Sequence, residues 1–368
     1  MQLVQTTRDA LLKPLSTVAG IVERRNTMPI LANILVRKQA DSVAFVATDL
    51  EVQISTHAQF GVGDSSESTT VAARKLLDIL RALPADDVRL GLAGGKLSIQ
   101  SGKSRFALQT LDATEFPTLS QPEQWTVSLT LPQKTLRHLF NMVHFAMAQQ
   151  DIRYYLNGLL FVFEPGYVRA VATDGHRLAH VGTAAEGVAE RHEVIVPRKT
   201  VLEMQRLLNE TDEPVSIDVA AGQIRFRFGE VELISKLVEG KFPDFTRVIP
   251  TNYTRHFLIN REALQGSLQR AAILTTDKLK GVRLQLGENL LKISSSNAEQ
   301  EEAQEEIDVD YSHEALDVGF NVSYLLDALA NVKVDTVCWS VQPDANASAL
   351  ITLPDDDNFK YVVMPMRI

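Results

Sequence analysis

Apolar positions recur at helical spacing at three points along the chain. The first stripe follows Thr7 and Asp9, two residues typical of a helix start, and consists of Leu11, Leu12, Leu15, Val18 and Ile21. Two later stripes have similar spacing and consist of Leu136, Leu139, Phe140, Val143 and Phe145, and of Leu264, Leu268, Ala271 and Ala272. This pattern predicts three amphipathic helices, each with one buried face.

Short apolar runs that alternate in part follow each of these helices, at 34–38 and 43–49, at 159–165 and 168–174, and at 282–287 and 290–296. A second helical pattern comes next, at 74–83, 198–208 and 323–332. More alternating segments then follow, for example 88–101 and 224–238. Turn residues separate the runs, so each third of the chain predicts the order helix, strands, helix, strands.

Short sequence markers also repeat at intervals of about 125 residues, a size that lets each copy fold around its own core. One marker ends at Asp49, Asp174 and Asn297, and another begins at Arg74 and Arg198. Three copies of one domain therefore fill the chain.

Breaks near Trp125 and Thr251 set the expected domains at 1–125, 126–251 and 252–368. The expected fold class is α+β, with three structurally repeated domains that each place two helices on one face of antiparallel sheets.

The composition is that of an ordinary globular protein, with 45% hydrophobic and 23% charged residues among 368. The single cysteine, Cys338, lies in an apolar run, which excludes an internal disulfide framework and favours a buried thiol. The N-terminal segment is amphipathic and carries an Asp, unlike a signal peptide, and no apolar run reaches the roughly 18 residues that span a bilayer. We therefore expect a cytoplasmic protein without a membrane partner.

The net charge of −9 argues against tight nucleic-acid binding, because affinity for phosphates comes from Lys and Arg. The distribution is uneven, since acidic residues concentrate at 299–306, 308–310 and 355–357. Basic residues fall on predicted helices, among them Arg74, Lys75, Arg81, Arg198, Lys199 and Arg206. A negative outer surface and a positive helical face are compatible with this pattern.

The string ATDGHR at 172–177 has two interpretations. A nucleic-acid-modifying enzyme would use His176 as a base and Asp174 as its orienting group, with Arg177 beside them. The alternative is a turn at a strand end, with Asp174 accepting from nearby amides and Gly175 at positive φ. The turn leaves unexplained why only the second copy carries His-Arg.

Three other segments bear on function. The acidic run 299–306 has no nearby His or Cys, so we expect no metal and no cofactor there, and the run is either a solvated face or a partner surface. The segment 149–155 places two tyrosines beside Arg and Gln, which suits nucleic-acid contact, although core tyrosines explain it equally. The apolar C-terminus, 361–368, predicts a final strand or part of a pocket.

Strings in order along all three copies resemble the bacterial sliding clamps, the beta subunits of DNA polymerase III. They are LKPL at 12–15, TMPIL at 27–31, DIRYYLNG at 151–158, ATDGHRL at 172–178, VPRK at 196–199, FPD at 242–244, GFNVSY at 319–324 and VVMPMR at 362–367. No single string is specific, but together they cover the chain from end to end.

This resemblance implies a processivity factor without catalytic activity. Two chains would form a head-to-tail homodimeric ring with pseudo-sixfold symmetry around duplex DNA, bound without regard to sequence. Because a ring is held by topology, it needs no strong grip on phosphates, which reconciles a negative net charge with DNA. The other implied partners are the DNA polymerase III catalytic subunit, the clamp loader, other DNA polymerases and repair proteins.

The resemblance also assigns residues to two sites. Those expected near DNA are Arg25, Arg74, Gln150, Tyr154, Tyr155 and Lys199. Those expected to form a pocket for a Leu and a Phe of partner peptides are Leu156, Thr173, Gly175, His176, Arg177, Leu178, Pro243, Arg247, Val248, Val362, Val363, Met364, Pro365, Met366 and Arg367. Methionines suit a pocket with several partners, because they repack at little cost.

Ring closure is expected between the first domain of one chain and the third domain of the other. The resemblance places Phe106 and Leu108 against Ile273 and Leu274, and it sets basic Lys75, Lys103 and Arg105 against Glu299, Glu301, Glu302 and Glu305. Gln304 stands where similar clamps often have a carboxylate, so the tightness of the ring stays open. A monomeric peptide-binding scaffold with the same fold is the remaining alternative.

Overall fold

The computed structural model describes residues 1–23, 28–84, 86–276 and 280–368. The first third contains β1 (Gln2–Thr7), α1 (Arg8–Val18), β2 (Asn33–Gln39), β3 (Ser42–Thr48), β4 (Val52–Gln59), β5 (Ser66–Ala72), α2 (Ala73–Ala82), β6 (Asp87–Ala93), β7 (Lys96–Ser101) and β8 (Ser104–Leu111).

The second third repeats this order. It contains β9 (Val127–Pro132), α3 (Gln133–Val143), β10 (Gly158–Glu164), β11 (Tyr167–Thr173), β12 (Arg177–Ala184), β13 (His192–Pro197), α4 (Arg198–Leu207), β14 (Pro214–Ala220), β15 (Gln223–Phe228) and β16 (Val231–Lys236).

The last third has the same order again. It contains β17 (Arg255–Asn260), α5 (Arg261–Ala272), β18 (Gly281–Gly287), β19 (Leu290–Ser296), β20 (Glu302–Asp308), β21 (Leu316–Asn321), α6 (Val322–Asn331), β22 (Thr336–Val341), β23 (Ala349–Leu353) and β24 (Asp356–Val363). The identical order of ten elements confirms the expected α+β repeat.

Each copy begins with a strand that the sequence pattern did not predict. These strands, β1, β9 and β17, pair with β6, β14 and β22 in the second half of their own copy. They are six residues long and lead directly into a helix, so the stronger helical stripe masks their alternation.

Most residues of the helical stripes are buried as expected, whereas Leu12, Phe145 and Ala272 are half-buried. Leu11, Leu15 and Val18 of α1 are buried, and the Thr7 hydroxyl accepts from the Ala10 amide at 3.3 Å. Ile21 lies in a short 3-10 turn after the helix. In the last third, α5 packs against α6 and against β18 to β20, so a helix pair covers one face of a sheet.

The strands of the described residues form three antiparallel sheets. Their orders are β1-β6-β7-β8-β5-β2-β3-β4-β16-β15-β14-β9, then β13-β10-β11-β12-β24-β23-β22-β17, then β20-β19-β18-β21. The first sheet is continuous because β4 pairs with β16, and the second because β12 pairs with β24. Two sheets therefore run across the boundaries expected at 125 and 251.

Contacts divide the chain into two compact units rather than three. One unit is Met1–Lys134 with Arg206–Leu237, and the other is Thr135–Gln205 with Val238–Ile368. Shared sheets account for this division, because strands from neighbouring copies pair inside each unit. The three-domain boundaries stay a prediction.

Candidate functional site

The second unit contains a pocket of about 420 Å³ where β11 ends, β12 begins and β24 ends. Its floor consists of buried apolar side chains of one core cluster, among them Leu156, Leu178, Phe242, Phe245 and Val362. A concave site with an apolar floor and a few polar groups at the rim is the usual form of a ligand-binding pocket.

Most residues that the resemblance assigns to the peptide pocket line this cavity. They are Leu156, Thr173, Gly175, Arg177, Leu178, Pro243, Arg247, Val248, Val362 and Met364. The lining also includes residues that the sequence did not assign to it, namely Arg153, Tyr155, Phe242, Phe245 and Ser348. The sequence marker FPD at 242–244 contains Phe242 and ends next to Phe245.

The remaining assigned residues, His176, Val363, Pro365, Met366 and Arg367, lie outside the lining. Alternation along β24 turns Val363 to the opposite face from Val362, where it is buried. The His176 ring stacks on Tyr324, with centroids 6.4 Å apart. Their role in a pocket stays a prediction.

Arg177 lines the pocket and bonds to three segments of the chain around it. Its guanidinium donates to Asp174 Oδ2 at 3.1 Å, to Asp327 Oδ2 at 2.6 Å and to the Phe145 carbonyl at 2.6 Å. It also lies 4.3 Å from the centroid of the Tyr324 ring. The side chain is 9% exposed, so these charge-assisted bonds replace water almost completely.

The segment before the pocket is fixed by its own hydrogen bonds. Asp151 accepts from the amide and the guanidinium of Arg153, and these bonds lower the pKa of Asp151 to about 2. The Asn157 side chain bonds both the amide and the carbonyl of Asp151. Gln150 has φ of +57°, a conformation that a non-glycine residue holds only when its neighbours impose it.

The rings of Tyr154 and Tyr155 contact each other edge to face, with centroids 6.0 Å apart, but they differ in exposure. Tyr155 lines the pocket and packs against its core cluster, whereas Tyr154 is 58% exposed. Arg153 links the segment to the rim, because it donates to the Asp174 carbonyl at 3.1 Å. Of the two tyrosines expected near DNA, Tyr154 is the one that faces outward.

Asp174 and His176 do not form an acid–base pair. Asp174 Oδ1 accepts from the amides of His176 and Arg177 at 2.9 and 3.1 Å, and Gly175 has φ of +89°. This geometry is the strand-end turn. The carboxylate that would orient a catalytic imidazole is instead engaged by the backbone and by Arg177.

A buried histidine lies behind the pocket floor. The His180 ring is 5.8 Å from the Phe245 ring, and its Nδ1 lies 3.1 Å from the Asn358 carbonyl oxygen. Burial lowers the pKa of His180 to about 4. The imidazole is therefore neutral at neutral pH.

In the first unit, a cavity of about 470 Å³ collects Arg74, Arg81 and Arg206. Arg74 is exposed, Arg81 lies 3.6 Å from the Asp78 carboxylate, and Arg206 donates to the Thr17 carbonyl at 2.7 Å. Arg74 and Arg81 lie on α2 and Arg206 lies in the last turn of α4, and their guanidinium groups suit contact with a phosphate backbone. The structure thus adds two arginines beside the assigned Arg74.

The other residues expected near DNA belong to the second unit or lie outside the described residues. Gln150 is exposed, and Lys199 is half-buried in the first turn of α4. Arg25 lies outside the described residues.

Strand β8 has an open edge in the first unit. It pairs fully with β7 but meets β5 only at Thr110 and Leu111, and no described strand pairs with the rest of that edge. Phe106 is 40% exposed on this strand. Other assigned residues at or near this edge are Lys75, Lys103, Arg105 and Leu108, of which Leu108 alone is half-buried.

Strand β20 has an open edge in the second unit, since among the described strands it pairs with β19 alone. Ile273, just after α5, is 76% exposed, and Leu274 is half-buried. The exposed carboxylates of the acidic run 299–306 are Glu299, Glu301, Glu302 and Glu306.

Alternation divides the acidic run into two faces. Glu305 points toward α5, where Arg270 donates to its carboxylate at 2.6 and 2.9 Å. Gln304 points the other way and donates to Glu306 at 3.1 Å. Glu305 therefore already has a cationic partner within its own chain.

Within the described part of the chain, no cluster of three or more His, Cys, Asp or Glu side chains is arranged to hold a metal ion. Every described helix is too short or too polar to traverse a bilayer.

Three family models match consecutive parts of the chain. They describe the N-terminal, central and C-terminal domains of the DNA polymerase III beta subunit, and they match residues 1–120, 130–244 and 246–367. The beta sliding clamp of Pseudomonas aeruginosa is 45% identical, and that of Escherichia coli K12 is 42% identical, each over 98% of both chains.

Solved structures give the same result. The DNA polymerase III subunit beta of Pseudomonas aeruginosa aligns with a TM-score of 0.95 at 44% identity, over 100% of both chains. A sliding clamp of Bartonella birtlesii bound to griselimycin aligns with a TM-score of 0.95 at 36% identity, also over 100% of both chains.

The repeated α+β fold is that of a DNA clamp. The chain belongs to the family of DNA polymerase III beta subunits, the beta sliding clamps. This family consists of processivity factors of DNA replication rather than catalytic enzymes, which decides against the enzyme interpretation of Asp174 and His176.

Proposed function

We propose that two copies of this chain close head to tail into a ring around duplex DNA and tether DNA polymerase III to it. The observation that carries this proposal is that one chain has two open edges of opposite charge, at β8 and at β20. A head-to-tail dimer closes only if each chain offers two complementary surfaces. An open edge strand also presents unpaired backbone groups that a second chain can bind.

The two edges are complementary in charge and in apolar content. Arg105 lies on β8 and Lys103 lies in the turn before it, whereas the neighbourhood of β20 is rich in carboxylates. We assign Phe106 to contact the partner chain's Ile273, because an exposed apolar side chain on each edge is explained by mutual burial. The ion pairs between the two edges would set the relative orientation of the two chains, and each pair would contribute little to the free energy of dimerisation.

DNA would pass the helical faces that carry Arg74, Arg81 and Arg206, and Gln150 and Tyr154 would touch it from the second unit. A few cations suffice, because enclosure rather than adhesion holds the ring. Strong phosphate binding would oppose sliding, and the net charge of −9 fits weak contact.

The pocket would receive short peptides of the DNA polymerase III catalytic subunit, the clamp loader, other DNA polymerases and repair proteins. Its apolar floor fits a Leu and a Phe, and Arg247, whose side chain is 86% exposed at the wall, offers donors to the peptide backbone. Griselimycin is bound to the Bartonella birtlesii clamp, so it can be used beside a partner peptide to probe the pocket of this chain. Competition between griselimycin and such a peptide would place both in one pocket.

We also propose that the chain has three domains, 1–125, 126–251 and 252–368. The protein would act in the cytoplasm, where replication occurs. The ranges of the three family models, which end at 120, 244 and 367, support these boundaries.

Light scattering on the purified chain tests ring formation. We expect about twice the 40.8 kDa of one chain. A species of single mass at micromolar concentration would favour the monomeric scaffold instead.

A further inference from the structure

The last five residues leave β24 and cross onto a different sheet. The Met364 amide donates to the His176 carbonyl at 2.9 Å, and the Met366 amide donates to the Gly319 carbonyl at 2.8 Å. Pro365, between them, has no N–H and ends the ladder of β24. Met364, which lines the pocket, is therefore held between a hydrogen bond to the turn before β12 and a hydrogen bond from the tail to β21.

Two glycines lie under this tail. Gly281 pairs with Asn321, and Arg283 pairs with Gly319, so the register makes the two glycines diagonal neighbours on one face of the sheet. That face is the outward one, since Val282 and Phe320 point into the core. The tail thus covers a solvent face without contributing to the core of its unit.

Space, rather than backbone conformation, requires glycine at Gly319 and makes a larger residue tight at Gly281. A Cβ on Gly319 would lie 2.5 Å from Ile368 Cδ1 and 2.6 Å from the Met366 carbonyl oxygen. A Cβ on Gly281 would lie 3.2 Å from Ile368 Cγ1 and 3.7 Å from Met366 Cε. Glycine inside a strand weakens the strand, and it commonly marks the close approach of another backbone.

We infer that Gly281 and Gly319 form a seat for the C-terminal tail, residues 364–368, and thereby position Met364 at the pocket. Neither glycine lines the pocket, so both are positioning residues. What the pocket binds rests on the proposed function, but the seat is a property of the chain alone.

The test compares Gly319→Ala with Gly287→Ala. Gly287 lies on β18, and a Cβ there would meet nothing within 4 Å, which makes it a matched control. Hydrogen exchange followed by mass spectrometry of C-terminal fragments reports the seat through the Met366 amide. Fluorescence anisotropy with a short labelled peptide that contains one Leu and one Phe reports the pocket.

We expect Gly319→Ala to lose protection at Met366 and to weaken the peptide roughly tenfold, the effect of losing one well-placed contact. Gly287→Ala should keep the protection of the Met366 amide and the affinity for the peptide at the level of the unsubstituted protein. Protection and affinity that stay unchanged in Gly319→Ala, with its melting temperature preserved, would overturn the inference.

A second pair of variants separates side-chain from backbone crowding. The atoms that a Cβ on Gly281 meets are ends of flexible side chains, so adding Ile368→Ala to Gly281→Ala should restore both readouts. In Gly319→Ala the new Cβ still collides with the Met366 carbonyl oxygen after Ile368 is shortened. Ile368→Ala should therefore restore the amide protection and the peptide affinity only in part. Full and equal rescue of both would contradict the seat geometry.

The two readouts also separate this inference from the proposed function. If the peptide fails to bind the unsubstituted protein, the peptide-pocket proposal fails, while the exchange of Met366 still decides the seat. If Gly319→Ala does not fold, Gly281→Ala decides it, because a Cβ there crowds the Ile368 side chain of the tail without meeting any backbone atom.

Discussion

At the scale of single residues, Arg177 organises the pocket wall. We predict that Arg177→Met, which keeps bulk but removes the donors, lowers the stability of the protein by about 3 kcal/mol, because it leaves the half-buried Asp174 carboxylate without its cationic partner. Thermal unfolding measures this loss.

Arg247 provides the control for that substitution. Its side chain is 86% exposed and pairs with Asp244 on the surface, so Arg247→Met should change stability by less than about 1 kcal/mol. Equal melting temperatures for the two variants would show that the Arg177 network contributes no more than a surface ion pair.

His180 gives the second unit a defined pH dependence. Its pKa is lowered to about 4 by burial, from 6.5, so the folded state binds fewer protons than the unfolded state below neutral pH. The stabilisation is complete above pH 6.5 and declines as the pH falls toward 4, by about 3 kcal/mol in total.

A non-titrating variant isolates this effect. Urea midpoints measured from pH 7.5 to 4.5 should fall more steeply for the unsubstituted protein than for His180→Gln. If the urea midpoints of the two proteins depend on pH in the same way, the pKa of His180 is not lowered in the folded state.

Residue roles were predictable where a local motif fixes them. The turn at Asp174 and Gly175 follows from residue chemistry, and the structure has that turn. The inward position of Tyr155 was not predictable, because Tyr154 and Tyr155 are identical neighbours and only the packed cluster beneath them decides which one is buried.

At the scale of elements, the open edges of β8 and β20 lead to a prediction about assembly. Ile273→Ala combined with Leu274→Ala should yield a species of about 40.8 kDa by light scattering. Each truncation removes roughly 2–5 kcal/mol if the side chain is buried in the interface.

Leu258→Ala is the matched control, because Leu258 is also an exposed apolar residue of the second unit but lies on β17. It should leave the mass unchanged. A persistent dimer in the double variant would remove Ile273 and Leu274 from the interface.

Helices were easier to predict than strands in this chain. The stripes at Leu11 and Leu264 identified α1 and α5, since a long apolar stripe has few alternative explanations. The strands β1, β9 and β17 were missed because each is short and adjoins a helix. The orientation of Glu305 toward Arg270 depends on strand register, which the acidic composition of the run does not reveal.

At the scale of the whole molecule, the repeat determines what the chain can do. Three copies with the same order of elements share sheets through the β4–β16 and β12–β24 pairs, so neighbouring copies are joined by backbone hydrogen bonds. Spacing of sequence markers revealed the copies, but it carries no information about which strands pair across them. That pairing depends on long-range register, which a single sequence does not show.

Topological retention tests the central claim most directly. The chain is loaded by its clamp loader onto a nicked circular plasmid, and the plasmid is either kept circular or cut once, at about 1 M salt, where the Debye length is only about 3 Å. The account predicts that the protein stays on the circle and leaves the linear form through its ends. Equal retention on both forms, or loss from both, would contradict enclosure of DNA by a closed ring.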